Sequence, residues 1–170
     1  MSCKENGPVV ETTAVVGKGN FIHPAPQSVT DENKVLIDNN RNHAFHLINK
    51  RSENEGAYSA FTEGFWMYEG IFVGGGKPKP VEEGHYLKLN EDFSYYYGFK
   101  AEVHGGGRYH ITYNTDAEPK MIMLDNNPLK TPEEWTVKNS DGFVVLIGSN
   151  YFGNNHRQMK LFHQPYSPAR

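Results

Sequence analysis

Phe61-Thr62-Glu63-Gly64-Phe65-Trp66-Met67-Tyr68-Glu69-Gly70-Ile71-Phe72-Val73 is the stretch that decides the fold. It is rich in aromatic and β-branched residues, which fit a pleated, half-buried surface, and Gly74-Gly75-Gly76 follows it directly as turn-forming sequence. One long strand ending in a loop is predicted. From there to the C-terminus every apolar segment is short and bounded by turn residues, so each reads as a further strand.

Working forward, His85 to Leu89 and Phe93 to Val103 form a predicted hairpin around Asn90-Glu91-Asp92. By the strand period of two, Phe93, Tyr95, Tyr97, Phe99, Ala101 and Val103 share one face, taken as the inward one. Ser94, Tyr96, Lys100, Glu102 and His104 take the other. Gly105-Gly106-Gly107 is predicted to turn the chain into a strand over Arg108 to Tyr113. Met121 to Leu124 is the next strand, and Thr131-Pro132-Glu133-Glu134 is a candidate short helical turn. Trp135 to Lys138 and Phe143 to Ile147 make a second hairpin, because Asp141-Gly142 between apolar runs is a strong hairpin signal. His156 to Phe162 closes the series.

Working backward, residues 1–30 are rich in Pro, Gly and Thr and read as a flexible tether and extension, with a weak edge strand at Val9 to Val16. Val35 to Ile37 and His43 to Ile48 flank Asp38-Asn39-Asn40-Arg41-Asn42, which reads as strand, Asn-rich turn, strand. A helix starting from a Thr30 cap competes, since Asp31 and Glu32 suit a first turn. The Asn-rich centre is a poor helix interior and favours the hairpin. Lys50 to Gly56 marks a seam with the rest. The domain is expected to span 31–164 with its core over 61–164, leaving a loose tail at 165–170.

Gly64 and Trp66, opening a run of antiparallel strands, form a G-x-W that resembles the motif of the lipocalin (calycin) barrels. The likeness implies a closed all-β barrel whose narrow end is plugged by the Trp, with a basic residue of the last strand lying across its ring. Arg157 is the residue this chain offers for that part. The order of strands is similar to that of small lipocalin-like domains in bacterial lipoproteins. The fold expectation is therefore a single antiparallel lipocalin-like β-barrel with an N-terminal extension.

A chain of 170 residues suits one domain with its own core. Ten Tyr, ten Phe and two Trp carry much of the burial, as when rings line a barrel interior. A formal charge of −3 with scattered basic residues excludes a nucleic-acid footprint. One cysteine, Cys3, excludes an internal disulfide and a thiolate-rich metal site. Its place before Lys4-Glu5-Asn6-Gly7-Pro8 resembles the lipid-bearing cysteine of a bacterial lipoprotein, which implies an exported protein of the cell envelope held to a membrane by its anchor. A chance cysteine would leave a cytoplasmic location open.

Three functional readings follow. The first is binding of a small hydrophobic or aromatic molecule in the barrel, lined by Tyr95, Tyr97, Tyr109, Tyr113, Met123 and Trp135. The second is an isomerase or lyase type of enzyme using Glu102, His104, His110 and Arg108, which requires the outward face of their strands to point inward instead. The third is a partner-binding protein whose barrel is filled, since an eight-stranded barrel can be packed by its own side chains. Eight histidines raise a metal question, but no zinc-binding spacing occurs and no cofactor is expected.

Overall fold

The structure, a computed structural model, describes residues 22, 28–74, 76–114, 117–153 and 155–168. Cys3 and the strand expected at Val9 to Val16 lie outside them. The described chain forms helix α1 (Asp31–Ser52), a one-turn helix α2 (Ser59–Thr62) and nine strands. These are β1 (Phe65–Val73), β2 (Lys79–Pro80), β3 (His85–Leu89), β4 (Ser94–Phe99), β5 (Glu102–Asn114), β6 (Ala117–Asp125), β7 (Glu133–Ser140), β8 (Phe143–Gly148) and β9 (Arg157–Gln164).

Apart from the two-residue β2, which pairs only with β1, each strand pairs antiparallel with the next. The last, β9, returns to β1 with Arg157 opposite Val73 and Gln164 opposite Phe65. The result is the closed eight-stranded antiparallel barrel expected from the sequence. Closure leaves no long exposed edge, and the Pro80 at the end of β2 cannot extend a ladder.

The opening motif has a local cause. Gly64 sits at φ +69°, and a Cβ there would meet the His163 ring at 2.6 Å and the Gln164 carbonyl at 2.7 Å. Only a glycine lets the chain turn into β1 this close to the closing strand. Trp66 is then directed into the base of the barrel, where its indole N–H donates to the Phe61 carbonyl at 2.9 Å. Phe61 and His163 pack against the ring at 6.2 and 5.4 Å between centroids.

Four expectations need correction. The hairpin expected over Val35 to Ile48 is the 22-residue helix α1. Thr30 and Asn33 form a reciprocal capping box, and Asp31, Glu32, Lys50 and Arg51 complement the helix dipole. The Asn-rich centre is retained because it is bonded to the barrel. Asn40 donates to the Phe152 carbonyl at 3.1 Å, and Arg41 donates to the carbonyls of Lys130 and Asp125 at 2.8 and 2.7 Å. Tertiary hydrogen bonds and the burial of Ala44 and Ile48 against Ile122, Leu124 and Phe152 outweigh weak propensity. The helix lies on the outer face of β6 and adds no strand.

The single strand expected over Phe93 to Val103 is broken. Lys100, at φ +53°, turns β4 back into β5. Tyr95 and Tyr97 do face inward, but Val103 is 63% exposed. Gly105 to Gly107 is not a turn; it lies within β5. A Cβ at Gly107 would run into the Leu124 carbonyl, one at Gly106 into the Tyr95 carbonyl, and one at Gly105 into the ring of Tyr97. The glycines let neighbouring backbone and an aromatic ring come close in a strongly coiled part of the barrel, beside a register shift at Tyr97/Gly98. Finally, Glu133 and Glu134 begin strand β7 and make no helical turn, since they pair with Met123 and Ile122.

The barrel interior has two layers. Toward the base, Phe61, Trp66, Leu87, Leu89, Ile111, Met121, Val137, Val144, Leu146 and Leu161 enclose a void of about 10 Å³. That is about the room of a single water, and an apolar lining gives a water no partner. Toward the wide end the filling is more polar: Tyr68, Tyr95, Tyr97 and Trp135 are buried there.

Candidate functional site

Two arrangements occupy the wide end of the barrel. The first is a plug. Arg157 stands at the start of β9, and its guanidinium lies over the Trp135 ring at 5.0 Å, pairs with the Glu133 carboxylate and donates to the Ile22 carbonyl at 2.6 Å. Its Nε bonds Asn155 Oδ1 at 3.3 Å. Burial brings its pKa down to about 10, against an attraction from Tyr68 that raises it, so the group remains a cation at neutral pH. Ile22 itself is 1% exposed and belongs to the barrel core. A residue from the N-terminal extension thus packs into the wide end of the barrel beside Arg157.

Arg157 therefore packs on Trp135 and is far from Trp66. The β9–β1 register sets Arg157 opposite Val73 and sets His163 opposite Trp66, at the other end of the barrel. At the base the edge of the His163 ring takes the place given to a cation, and its Nε2 meets the Glu63 carbonyl at 2.8 Å.

The second arrangement is an open groove of about 600 Å³ on the rim. One wall is the β4–β5 hairpin, with Tyr95 to Tyr97 and Val103 to Gly106; the other is the start of the β6–β7 connection, with Asp125, Asn126, Asn127 and Lys130. Its floor is a fixed polar cluster. Tyr97 donates to Asp125 Oδ2 at 2.7 Å and accepts from Lys130 Nζ at 3.3 Å, and Lys130 lies 3.6 Å from the same carboxylate oxygen. The other oxygen, Oδ1, accepts from the Asn127 N–H at 2.8 Å. Burial, and then the bond to Asp125, push the Tyr97 phenol well above its ordinary pKa, so it stays protonated and acts as a donor. A phenol held in that state is a positioning group and a poor base.

The expected ligand-lining residues are distributed differently. Tyr95, Met123 and Trp135 are core, and Tyr95 stacks on Tyr97 at 6.2 Å. Tyr109 is buried with its hydroxyl donated to the Asn90 carbonyl at 2.8 Å, toward the base. Tyr113 is 45% exposed and packs on Tyr58 at 4.3 Å. Only Tyr95 and Tyr97 touch the groove.

The expected catalytic residues do not converge. His104 and His110 do not flank a turn: both lie on β5, six positions and about 20 Å apart along the strand. Glu102 and His104 meet at 3.2 Å on the exposed overhang, whereas His110 is fully buried beneath α1. Arg108 is half-buried between them on the outer face, opposite Leu124. His43 and His46, within the stretch expected as a strand, are both exposed on α1. No group of three or more His, Cys, Asp or Glu able to hold a metal occurs among the described residues.

Sequence reasoning missed Asp125, Asn127, Lys130 and Arg41. The one available signal was the seven-residue Asn126-Asn127-Pro128-Leu129-Lys130-Thr131-Pro132 connection after Asp125, which is long for a meander and rich in side chains that bond their own backbone. Neither a scan against protein-family models nor a search of the curated proteins finds a match for this chain.

Proposed function

We propose that this chain is a lipocalin-like binding protein whose barrel is a packed scaffold and whose ligand is held on the rim, in the groove between the β4–β5 hairpin and the β6–β7 connection. One comparison carries the reading. The apolar part of the interior keeps a void of about 10 Å³, while the rim offers about 600 Å³, within the range of about 300–1,000 Å³ usual for small-molecule sites. A hydrophobic guest inside the barrel would have to displace Ile22, Arg157 and the rings of Trp135 and Tyr95.

The groove favours a ligand with one flat face and several polar groups. Tyr96 and the side-chain-free strip at Gly105 and Gly106 supply a flat surface. Asn126, Asn127 and Lys130 supply donors and acceptors. The exported, lipid-anchored location implied by the likeness to bacterial lipoproteins belongs to the same proposal.

Labelled protein titrated by NMR tests it, with a long-chain fatty acid as the apolar probe and a panel of sugars and aromatic carboxylates as polar probes. Binding of a polar probe is expected to shift the amides of Gly105, Gly106, Asn126 and Asn127, and Lys130→Ala is expected to weaken it about tenfold, a loss of about 1.4 kcal/mol. Saturable shifts at the Met121, Leu146 and Leu161 methyls on adding the fatty acid would return the ligand to the interior and refute the rim site.

A further inference from the structure

Beneath the C-terminal end of α1 lies a group of buried polar side-chain atoms with no hydrogen-bond partner by distance and angle among the described residues. They are His110 Nδ1 and Nε2, Thr112 Oγ1, Arg51 Nη1 and Glu55 Oε1. His110 and Thr112 come from the outer face of β5, Arg51 from the last turn of α1, and Glu55 from the segment after it. Buried polar groups are nearly always paired, so a seam that gathers an imidazole, a guanidinium and a carboxylate under one helix end is sensitive to any change of charge.

We propose that this seam is an acid-sensitive latch, in which protonation of His110 loosens the C-terminal half of α1 from the barrel. The argument is geometric. His110 has no exposed surface, and its ring stacks on Phe93 at 5.4 Å. The charged groups facing it are Glu55, with Oε1 at 3.8 Å from Nε2, and Arg51 across the seam. Its register partner on β6, Ile122, and the Phe93 ring before β4 bring no charge. A neutral imidazole is tolerated there. An added proton would place a buried cation beside the half-buried Arg51, and the half-buried Glu55, with its carboxylate beyond hydrogen-bond distance, offsets only part of the cost of burying it.

The direction follows. Burial, opposed by the charge and a backbone hydrogen bond of Glu55 and reinforced by Arg51, holds the docked-state pKa of His110 below its ordinary value of about 6.5. The undocked form therefore binds more protons between that lowered value and pH 6.5. Docking is strongest above pH 6.5 and is lost progressively as the pH falls through the lowered pKa. With one proton linked, the opening equilibrium rises at most about tenfold per pH unit. Opening would uncover Ile122, Leu124 and Phe152, which α1 now covers.

Hydrogen exchange of the full chain between pH 8 and pH 5, corrected for intrinsic rates, tests the latch. Protection of the α1 amides from Leu47 to Ser52 is expected to fall by up to tenfold per unit below pH 6.5, while amides of β8 and β9 keep theirs. In His110→Phe that pH dependence should vanish. Should this variant fail to fold, the ring resonance of His110 in the unaltered chain decides. Titration below pH 6.5, coincident with the loss of protection, supports the latch. A ring titrating at or above 6.5, or equal pH dependence in α1 and the barrel strands, overturns it.

Discussion

Replacing Arg157 with Met removes the group that seals the wide end, and the structure allows its effect to be worked out. Arg157 is 8% exposed, and its guanidinium packs on Trp135, pairs with Glu133 and donates to the Ile22 carbonyl and Asn155 Oδ1, interactions that a thioether cannot replace. Its charged hydrogen bond to the Ile22 carbonyl is worth about 1.5–3 kcal/mol, and a desolvated cation over an indole about 2 kcal/mol. The ion pair with Glu133 adds to this, but burying the guanidinium costs several kcal/mol that Met does not incur. Removing one partner of a buried pair typically destabilises by about 3–5 kcal/mol. Here the Glu133 side chain is 30% exposed and can regain water, so the expected net loss is about 2–4 kcal/mol. That corresponds to a fall in Tm of roughly 5–15 °C for a chain of this size. Urea unfolding followed by tryptophan fluorescence measures it, since Trp135 loses its cation in the same step. Adding Glu133→Gln to Arg157→Met removes the stranded carboxylate and should recover at least about 1 kcal/mol. A single variant within 0.5 kcal/mol of the parent, or a double variant whose loss is the plain sum of the two, would show that Arg157 does not hold the mouth closed.

Two further outcomes test the fold. Gly107→Ala forces a Cβ onto the Leu124 carbonyl and is expected to cost about 3 kcal/mol or more, whereas Gly142→Ala, at φ +74° with open space around it, should cost about 1–2 kcal/mol; thermal melts of equal size for the two would refute the in-strand role of Gly107. Thr30→Ala removes the capping box and should weaken the first turns of α1 by about 1 kcal/mol, with Thr30→Ser close to neutral; exchange of amides from Lys34 to Asp38 reads this, and unchanged protection in Thr30→Ala would refute the cap.

The barrel was legible because its signals are local. The Gly64-x-Trp66 pattern, the Asp141-Gly142 hairpin and the aromatic alternation at Tyr95 and Tyr97 can each be read within a few residues of sequence. What was hidden depends on distant partners. The Asn-rich centre of α1 is acceptable as helix only because Asn40 and Arg41 find carbonyls some 84 to 112 positions away. Three successive glycines read as a turn, since nothing in the sequence reveals that a Tyr97 ring and the Leu124 carbonyl would lie where their side chains should be. One clue was available. Met121 to Leu124 is apolar at every position, and a strand buried on both faces needs a cover. The barrel core takes Met121 and Met123, and α1 takes Ile122 and Leu124.

Arg41 connects the two proposals. It is the one side chain of α1 that bonds both Lys130 and Asp125, through their carbonyls, and these are the residues that build the floor of the rim groove. Burial lowers the Arg41 pKa while Asp125 raises it, so the guanidinium stays charged and its two bonds are charge-assisted. The groove wall is thus held by the helix, and the helix is held at its far end by a seam containing His110. A helix is stiff over this length, so loosening at Arg51 need not reach Arg41; what couples them is the shared packing of Ala44 and Ile48, which lie between the two on the same face and bury against Ile122 and Leu124. If that packing opens as one unit, the groove loses its anchor together with the latch. If it opens turn by turn from the C-terminal end, the groove keeps its shape while the apolar face of β6 is uncovered.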